Sequence, residues 1–159
     1  VDSVQARSEE ELVEELKREH PELLHDAIVH RSKRVSVIAK RERVLELARI
    51  LRDQYGFTQP VSAGAVDYIK EGRMQMIYYL MNPETRFMLM LRVDLPRDDP
   101  RMPSMTEIWE AMNFHEREAW EMFGINFEGH PNLTHLLLPP DWRGGYPLRK
   151  DFRGEGITP

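Results

Sequence analysis

The chain has 159 residues, 41% hydrophobic and 31% charged, which suits one globular domain with a single buried core. Its net charge of −5 argues against a general nucleic-acid binder, because neutralising phosphate requires a basic surface. The absence of cysteine removes disulfides, thiolate-bound iron–sulfur clusters, cysteine zinc sites and thiol nucleophiles together.

No apolar run approaches the roughly 20 residues that cross a bilayer, and Val1 to Glu19 is acidic rather than a basic leader followed by an apolar stretch. The expectation is a soluble chain, held at any membrane by other subunits. Ser8 and Glu11 have the spacing of a capping box, with Leu12, Val13 and Leu16 behind them, which predicts a first helix of about three turns. Ala27 to Val29 and Val35 to Ile38 read as two short strands joined by a polar turn at Ser32 and Lys33. Val44, Leu47, Ala48, Leu51 and Tyr55 recur at helical spacing, and Gly56 sits where a helix end needs a left-handed residue.

From Val61 the period changes. Val61 to Ile69, Met74 to Met81 and Phe87 to Val93 predict three strands, separated by turns at Lys70 to Gly72 and Asn82 to Glu84. Phe87 to Leu91 is apolar at consecutive positions, so this strand is expected to be covered on both faces. Met74, Met76, Met88 and Met90 are expected in the core. The fold class is therefore α+β, a sheet backed by helices. Leu95 to Pro103 carries three prolines and no apolar rhythm, which predicts a break between an α+β body, residues 1–103, and a helical segment with an extended arm, residues 104–159, of the same domain.

Ser104 and Glu107 repeat the capping-box spacing ahead of Ile108, Trp109 and Met112, and a second helical stretch ends at Gly124. His115-Glu116 resembles the start of a zinc-protease helix, but Ala119 stands where the second histidine is required. Glu118 and Glu121, one turn apart, invite a carboxylate-pair or metal reading; the simpler account is an ion pair between Arg117 and Glu121. His130 and His135 flank a loop, where two imidazoles alone make a weak metal or proton-transfer site. An autonomous hydrolase or metalloenzyme built on Glu118, Glu121, His130 and His135 is the alternative function, and a basic-arm RNA binder a third. The stretch from Trp142 to Arg153 mixes Gly and Pro with aromatic residues and is locally basic, which predicts an extended arm whose Arg149, Lys150 and Arg153 meet acidic side chains of a partner.

The order His115-Glu116-Arg117-Glu118, Met122-Phe123-Gly124-Ile125, Phe127-Glu128-Gly129-His130-Pro131 and Pro147-Leu148-Arg149-Lys150-Asp151-Phe152 resembles the 30 kDa subunit family of respiratory complex I, the NADH-quinone oxidoreductase. Relatives of that family occur in membrane-bound energy-converting nickel–iron hydrogenases. The resemblance implies a scaffold without a catalytic, cofactor or metal site of its own, in the peripheral arm of an ion-translocating redox complex. Its partners would be the large hydrogenase-like subunit and iron–sulfur subunits, with iron–sulfur clusters, and nickel–iron or flavin, carried by those partners. Nucleic acid is not expected as a partner, and the place implied is peripheral, on the cytoplasmic face of the cell membrane. Glu116, Arg117, Glu118, Glu121, Gly124, Gly129, His130, Pro131, Pro147, Leu148, Arg149, Lys150 and Asp151 are the residues it marks for docking or structure. Glu121 stands where the family usually has aspartate, Gly144-Gly145 exceeds the usual single glycine, and the tail beyond Phe152 is short. These departures imply a divergent branch, nearer a hydrogenase-type or archaeal complex than an NADH-driven one.

Overall fold

Ser8 opens the first helix as its spacing predicts. Its side chain accepts from the Glu11 amide, and Glu11 accepts the Ser8 amide in return, capping α1 (Glu9–Glu19). The computed structural model describes residues 7–154; the first six residues of the acidic N-terminal stretch and most of the short tail beyond Phe152 lie outside the described residues.

Beyond α1, strands β1 (Leu24–Arg31) and β2 (Arg34–Ala39) form a hairpin turned at Ser32 and Lys33, where Lys33 takes a φ of 60°. Helix α2 (Val44–Asp53) follows, and Gly56 adopts a φ of 75° just past it. Strands β3 (Gln59–Tyr68), β4 (Arg73–Met81) and β5 (Met88–Pro96) complete a five-stranded sheet of order β1-β2-β5-β4-β3. Neighbours are antiparallel except β2 and β5, which run parallel. Sheet and helices together make the α+β fold expected.

One face of the sheet carries Val35, Val37, Met74, Met76, Tyr78, Leu80, Leu89 and Leu91, all buried in one cluster with Leu12 and Leu16 of α1 and Leu47 and Leu51 of α2. Ala63 and Ala65 of β3 share this face and leave room for α3 (Met112–Phe123), which packs against that strand. Among the described residues, no helix packs on the opposite face. Met88 and Met90 lie on it half-buried, which corrects both the two-sided burial expected of β5 and the core placement expected of these methionines. Consecutive apolar residues did not require a second layer because neighbouring side chains shield Met88 and Met90 in part.

Two further expectations are corrected. Strand β5 continues through Leu95 to Pro96, and Arg101–Pro103 forms β6, which pairs in parallel with β7 (Asn126–Glu128). Proline is tolerated because these prolines stand at strand ends, where the bonds flanking β6 come from the Asn126 amide to Pro100 and the Ser104 amide to Glu128. The capping box at Ser104 and Glu107 does not form: residues 105–111 make tight turns and α3 begins at Met112. The Ser104 hydroxyl donates to Glu116 and accepts from the Thr106 amide, so it is committed elsewhere.

One-sided coverage of the sheet makes a direct prediction. Leu91→Ala, on the covered face, is expected to cost about 2–5 kcal/mol of stability. Met90→Ala, one residue away on the open face, is expected to cost less than about 1.5 kcal/mol. Urea denaturation of both variants checks the ranking.

Candidate functional site

Helix α3 is half core and half clamp. Ala119 and Met112 face the apolar cluster, while Glu116 and Glu121, both carboxylates, are buried with them. A buried carboxylate is costly unless donors surround it, and each of these has its own set.

Glu116 accepts from the Tyr78 hydroxyl at 2.8 Å, the Ser104 hydroxyl at 2.6 Å and the Met105 amide at 2.6 Å. It thereby ties the helix to β4 and to the turns after β6. Burial raises its pKa above the ordinary glutamate value against the opposing pull of Ser104, Met105 and Tyr78. Burial also pushes the Tyr78 hydroxyl well up, aided by the nearby Glu116 charge, so it remains a donor. His130 sits 4.0 Å from Glu116. Its Nδ1 accepts the Asn132 amide, so Nε2 carries the ring proton and donates to the Asn113 carbonyl.

Glu121 is the second anchor. Its oxygens accept three consecutive backbone amides, Leu136 at 3.0 Å, Leu137 at 2.8 Å and Leu138 at 3.3 Å, and His135 Nδ1 at 3.2 Å. Burial pushes its pKa up, but the amides of Leu137, Leu136 and Leu138, with His135, outweigh that and hold it below the ordinary range. The Arg117 guanidinium reaches the same stretch from the same helix, donating to the carbonyls of Thr134 and His135 and to the Thr134 hydroxyl. The expected Arg117–Glu121 ion pair is therefore absent, because each side chain has a fuller set of partners on the segment crossing the helix. The His135 ring lies 5.1 Å from Trp120, so it packs more closely than a loop histidine was expected to.

A third set of contacts fixes the end of the arm. Asp67, buried near the end of β3, takes Arg97 in a two-point ion pair and the Lys150 amide, and Arg97 also pairs with Asp151 at 2.9 Å. The Arg97 guanidinium, with help from the Lys150 amide, lowers the pKa of Asp67, and Arg97 lowers that of Asp151. Arg149 donates to the Phe123 carbonyl at 2.7 Å and lies over the Tyr146 ring, and the Leu148 amide donates to Met122. Gly124 ends α3 with a φ of 78°; a methyl group there would stand 2.7 Å from the Tyr146 ring and 2.8 Å from Arg149 Nη2. Its lack of a side chain thus serves the backbone and the arm together. Gly144 is covered by the Trp142 ring, whose Nε1 donates to Gly145, a close fit that the paired glycine permits.

Residues 129–154 contain no helix or strand, so the extended arm is observed, although it is tied down along its length. Glu116, Arg117, Glu121, Gly124, His130, Arg149 and Asp151 all join these anchors. Glu118 does not; it is exposed and has no hydrogen-bond partner among the described residues. Gly129, with φ 80°, and Pro131 line the exposed turn into the arm, while Pro147 and Leu148 lie between Tyr146 and Arg149. His130 and His135 attend different glutamates, and no three His, Asp or Glu side chains gather as a metal site among the described residues. Tyr78, Ser104, Asp67 and Arg97 are essential members that sequence reasoning missed. Only Tyr78 carried a signal, a hydroxyl on the apolar side of an alternating strand.

Outward, the arm exposes large apolar side chains: Leu136, Leu137, Tyr146 and Leu148. Its backbone is bonded inward to Glu121, Arg117 and Asp67 while these four side chains turn to solvent, and Leu133 packs on the core. Residues 37–158 match the family model described as respiratory-chain NADH dehydrogenase, 30 Kd subunit. The chain belongs to this family. It is 42% identical over 122 residues to a subunit of the NADH-quinone oxidoreductase of Roseiflexus castenholzii, covering 74% of this chain and 68% of that one. It is 32% identical to a subunit of the F(420)H(2) dehydrogenase of Methanosarcina mazei, covering 90% of each. A chain in the structure of the membrane-bound sulfane sulfur reductase, an archaeal respiratory membrane complex, superposes with a TM-score of 0.80 at 29% identity, covering 91% of this chain and 85% of that one.

The two buried glutamates predict opposite pH behaviour. Glu121, with its lowered pKa, contributes stability above its unfolded pKa that is lost as pH falls through the folded value. Glu116, with its raised pKa, contributes stability below its unfolded pKa that is lost as pH rises through the folded value. Glu121→Gln is expected to cost about 2–3 kcal/mol near neutral pH, a gap that narrows on acidification. Glu116→Gln keeps a carbonyl oxygen for Tyr78 and Met105, and its melting temperature relative to wild type should rise from about pH 4 to about pH 8. Melting curves across that range check both signs.

Gly124→Ala is expected to cost about 1–2 kcal/mol from the left-handed backbone alone. The added methyl group also displaces Tyr146 and Arg149. Limited trypsin digestion should therefore cut at Arg149 and Lys150 faster in the variant than in the wild type, under conditions where both bodies remain folded.

Proposed function

We propose that the chain is a cofactor-free scaffold in the peripheral arm of a membrane-bound, ion-translocating redox complex, and that it docks through its C-terminal arm on the large hydrogenase-like subunit. Family membership supports a role as a subunit of a respiratory complex. The observation that carries the docking assignment is the arm itself: its amides and carbonyls are held by Glu121, Arg117, Asp67 and α3, while Leu136, Leu137, Tyr146 and Leu148 point away from the body. Exposed apolar residues on a pre-ordered segment bind at a lower ordering cost than those on a free chain.

The contribution is positional. A rigid clamp braces the neighbouring subunit while iron–sulfur clusters, and nickel–iron or flavin, in the partner subunits carry the electrons. Residence at the cytoplasmic face of the membrane, through those partners and iron–sulfur subunits, belongs to the same proposal. In this reading Arg149 and Asp151 also hold the arm to the body, and the exposed side chains of Lys150 and Arg153 meet the partner.

The test is Leu137→Glu combined with Leu148→Glu. Both side chains are exposed, so the isolated fold should lose less than about 1 kcal/mol in total. Co-purification with the large subunit should fall by at least about tenfold, since each substitution places a desolvated charge in an apolar contact. Undiminished recovery of the complex would overturn docking through the arm.

A further inference from the structure

The open face of the five-stranded sheet is not used by the clamp. Register places Ile28, Arg34, Ser36, Tyr79, Met88, Met90 and Arg92 on it, and the His30 ring joins them through its 2.8 Å contact with the Ser36 hydroxyl. All the packing of α1, α2 and α3 falls on the other side. Here a hollow of about 340 Å³ is lined by His30, Arg31, Arg34, Tyr79, Met88 and Met90.

The unpaired charge on this face is cationic: Asp26 and Asp94 share it by register, but Asp26 pairs with Lys17 and Asp94 with Arg73. Arg31, Arg34 and Arg92 have no carboxylate partner among the described residues, although the protein is acidic overall. Asp94, the acid beside Arg92, is already bonded by Arg73 and Gln75. Arg92 donates only to Gln75 and to the Met90 sulfur, and its buried Nε has no partner. Buried guanidinium nitrogens are ordinarily paired, so the surroundings of Arg92 are incomplete in the isolated chain.

We infer that this sheet face is a second interface, which takes an acidic amphipathic segment from another subunit of the same assembly. The carboxylates of that segment would meet Arg31, Arg34 and Arg92, and its apolar side chains would enter the hollow between Met88, Met90 and Tyr79. Methionines suit such a floor because their flexible thioethers adapt to an irregular partner. A small anion would leave the methionine floor bare. A polypeptide bearing both acid and apolar groups uses the whole face. The inference rests on the chain being a subunit, yet on a surface separate from the arm.

Photo-crosslinking in the assembled complex tests it. The full chain is co-expressed with the other subunits, carrying p-benzoylphenylalanine either at Ile28, which is exposed on the sheet face, or at Leu137 on the arm. The expected result is a crosslink from position 28 to another subunit, at a segment bearing Asp or Glu among apolar residues. Arg31→Glu with Arg34→Glu should lower its yield at least about tenfold while the crosslink from position 137 persists. The milder pair Arg31→Gln and Arg34→Gln should lower it less, which separates lost attraction from misfolding. A crosslink from position 28 to a second copy, to lipid or to a segment without carboxylates would overturn the inference, as would none at all in an intact complex. Failure at position 137 alone counts against docking through the arm and leaves the sheet face standing.

Discussion

Glu121 holds three successive backbone amides of a segment that has no hydrogen-bonding ladder of its own. An extended chain lying on a protein surface must place its amides and carbonyls somewhere, and water alone does not select one path. Glu121 and Arg117, four residues apart on one helix, provide an acceptor for those amides and a donor for the carbonyls just before them. The direction of the arm, the outward aim of its leucines and the packing of His135 on Trp120 all depend on this exchange.

A glutamate at position 121 fits the geometry. Its side chain reaches Leu136, Leu137 and Leu138 from within the buried side of α3. Glu116 does similar work in the opposite direction, binding the helix back to Tyr78 and the turn at Ser104. Between them, one helix joins the body to the arm through two carboxylates that burial pushes the same way but whose net shifts are opposite. Glu116 lies deeper, and its two hydroxyls and one amide do not offset burial, whereas at Glu121 three backbone amides and His135 outweigh it.

The proposed scaffold role asks for fixed geometry more than for chemistry. Asp67 joins strand, loop and arm through Arg97 and Lys150. Of the residues that suggested catalysis in the sequence, Glu121 and His135 bond each other in the arm's anchor, His130 lies beside Glu116, and Glu118 is exposed. Among the described residues, the apolar outside of the arm and the open face of the sheet are both exposed. They lie on different elements, so the chain has the means to contact more than one neighbour.

Local physics made much of this legible in sequence. The capping box at Ser8, the period of α2, the turn at Lys33 and the helix end at Gly124 are each decided within a few residues, by hydrogen bonds and backbone sterics that the residue types already specify. The extended arm was legible too, because Pro and Gly deny it a ladder. Ser104 shows where such reasoning ends: its spacing with Glu107 satisfied the local rule, but Glu116, twelve residues on, competed for the hydroxyl and won it by burial. The parallel pairing of β2 with β5, the open face holding Met88 and Met90, and the bond from Lys150 to Asp67 across 83 residues were decided only by the tertiary structure. A spacing rule describes neighbours along the chain, whereas the partner of a buried charge is whichever group the folded core brings within reach.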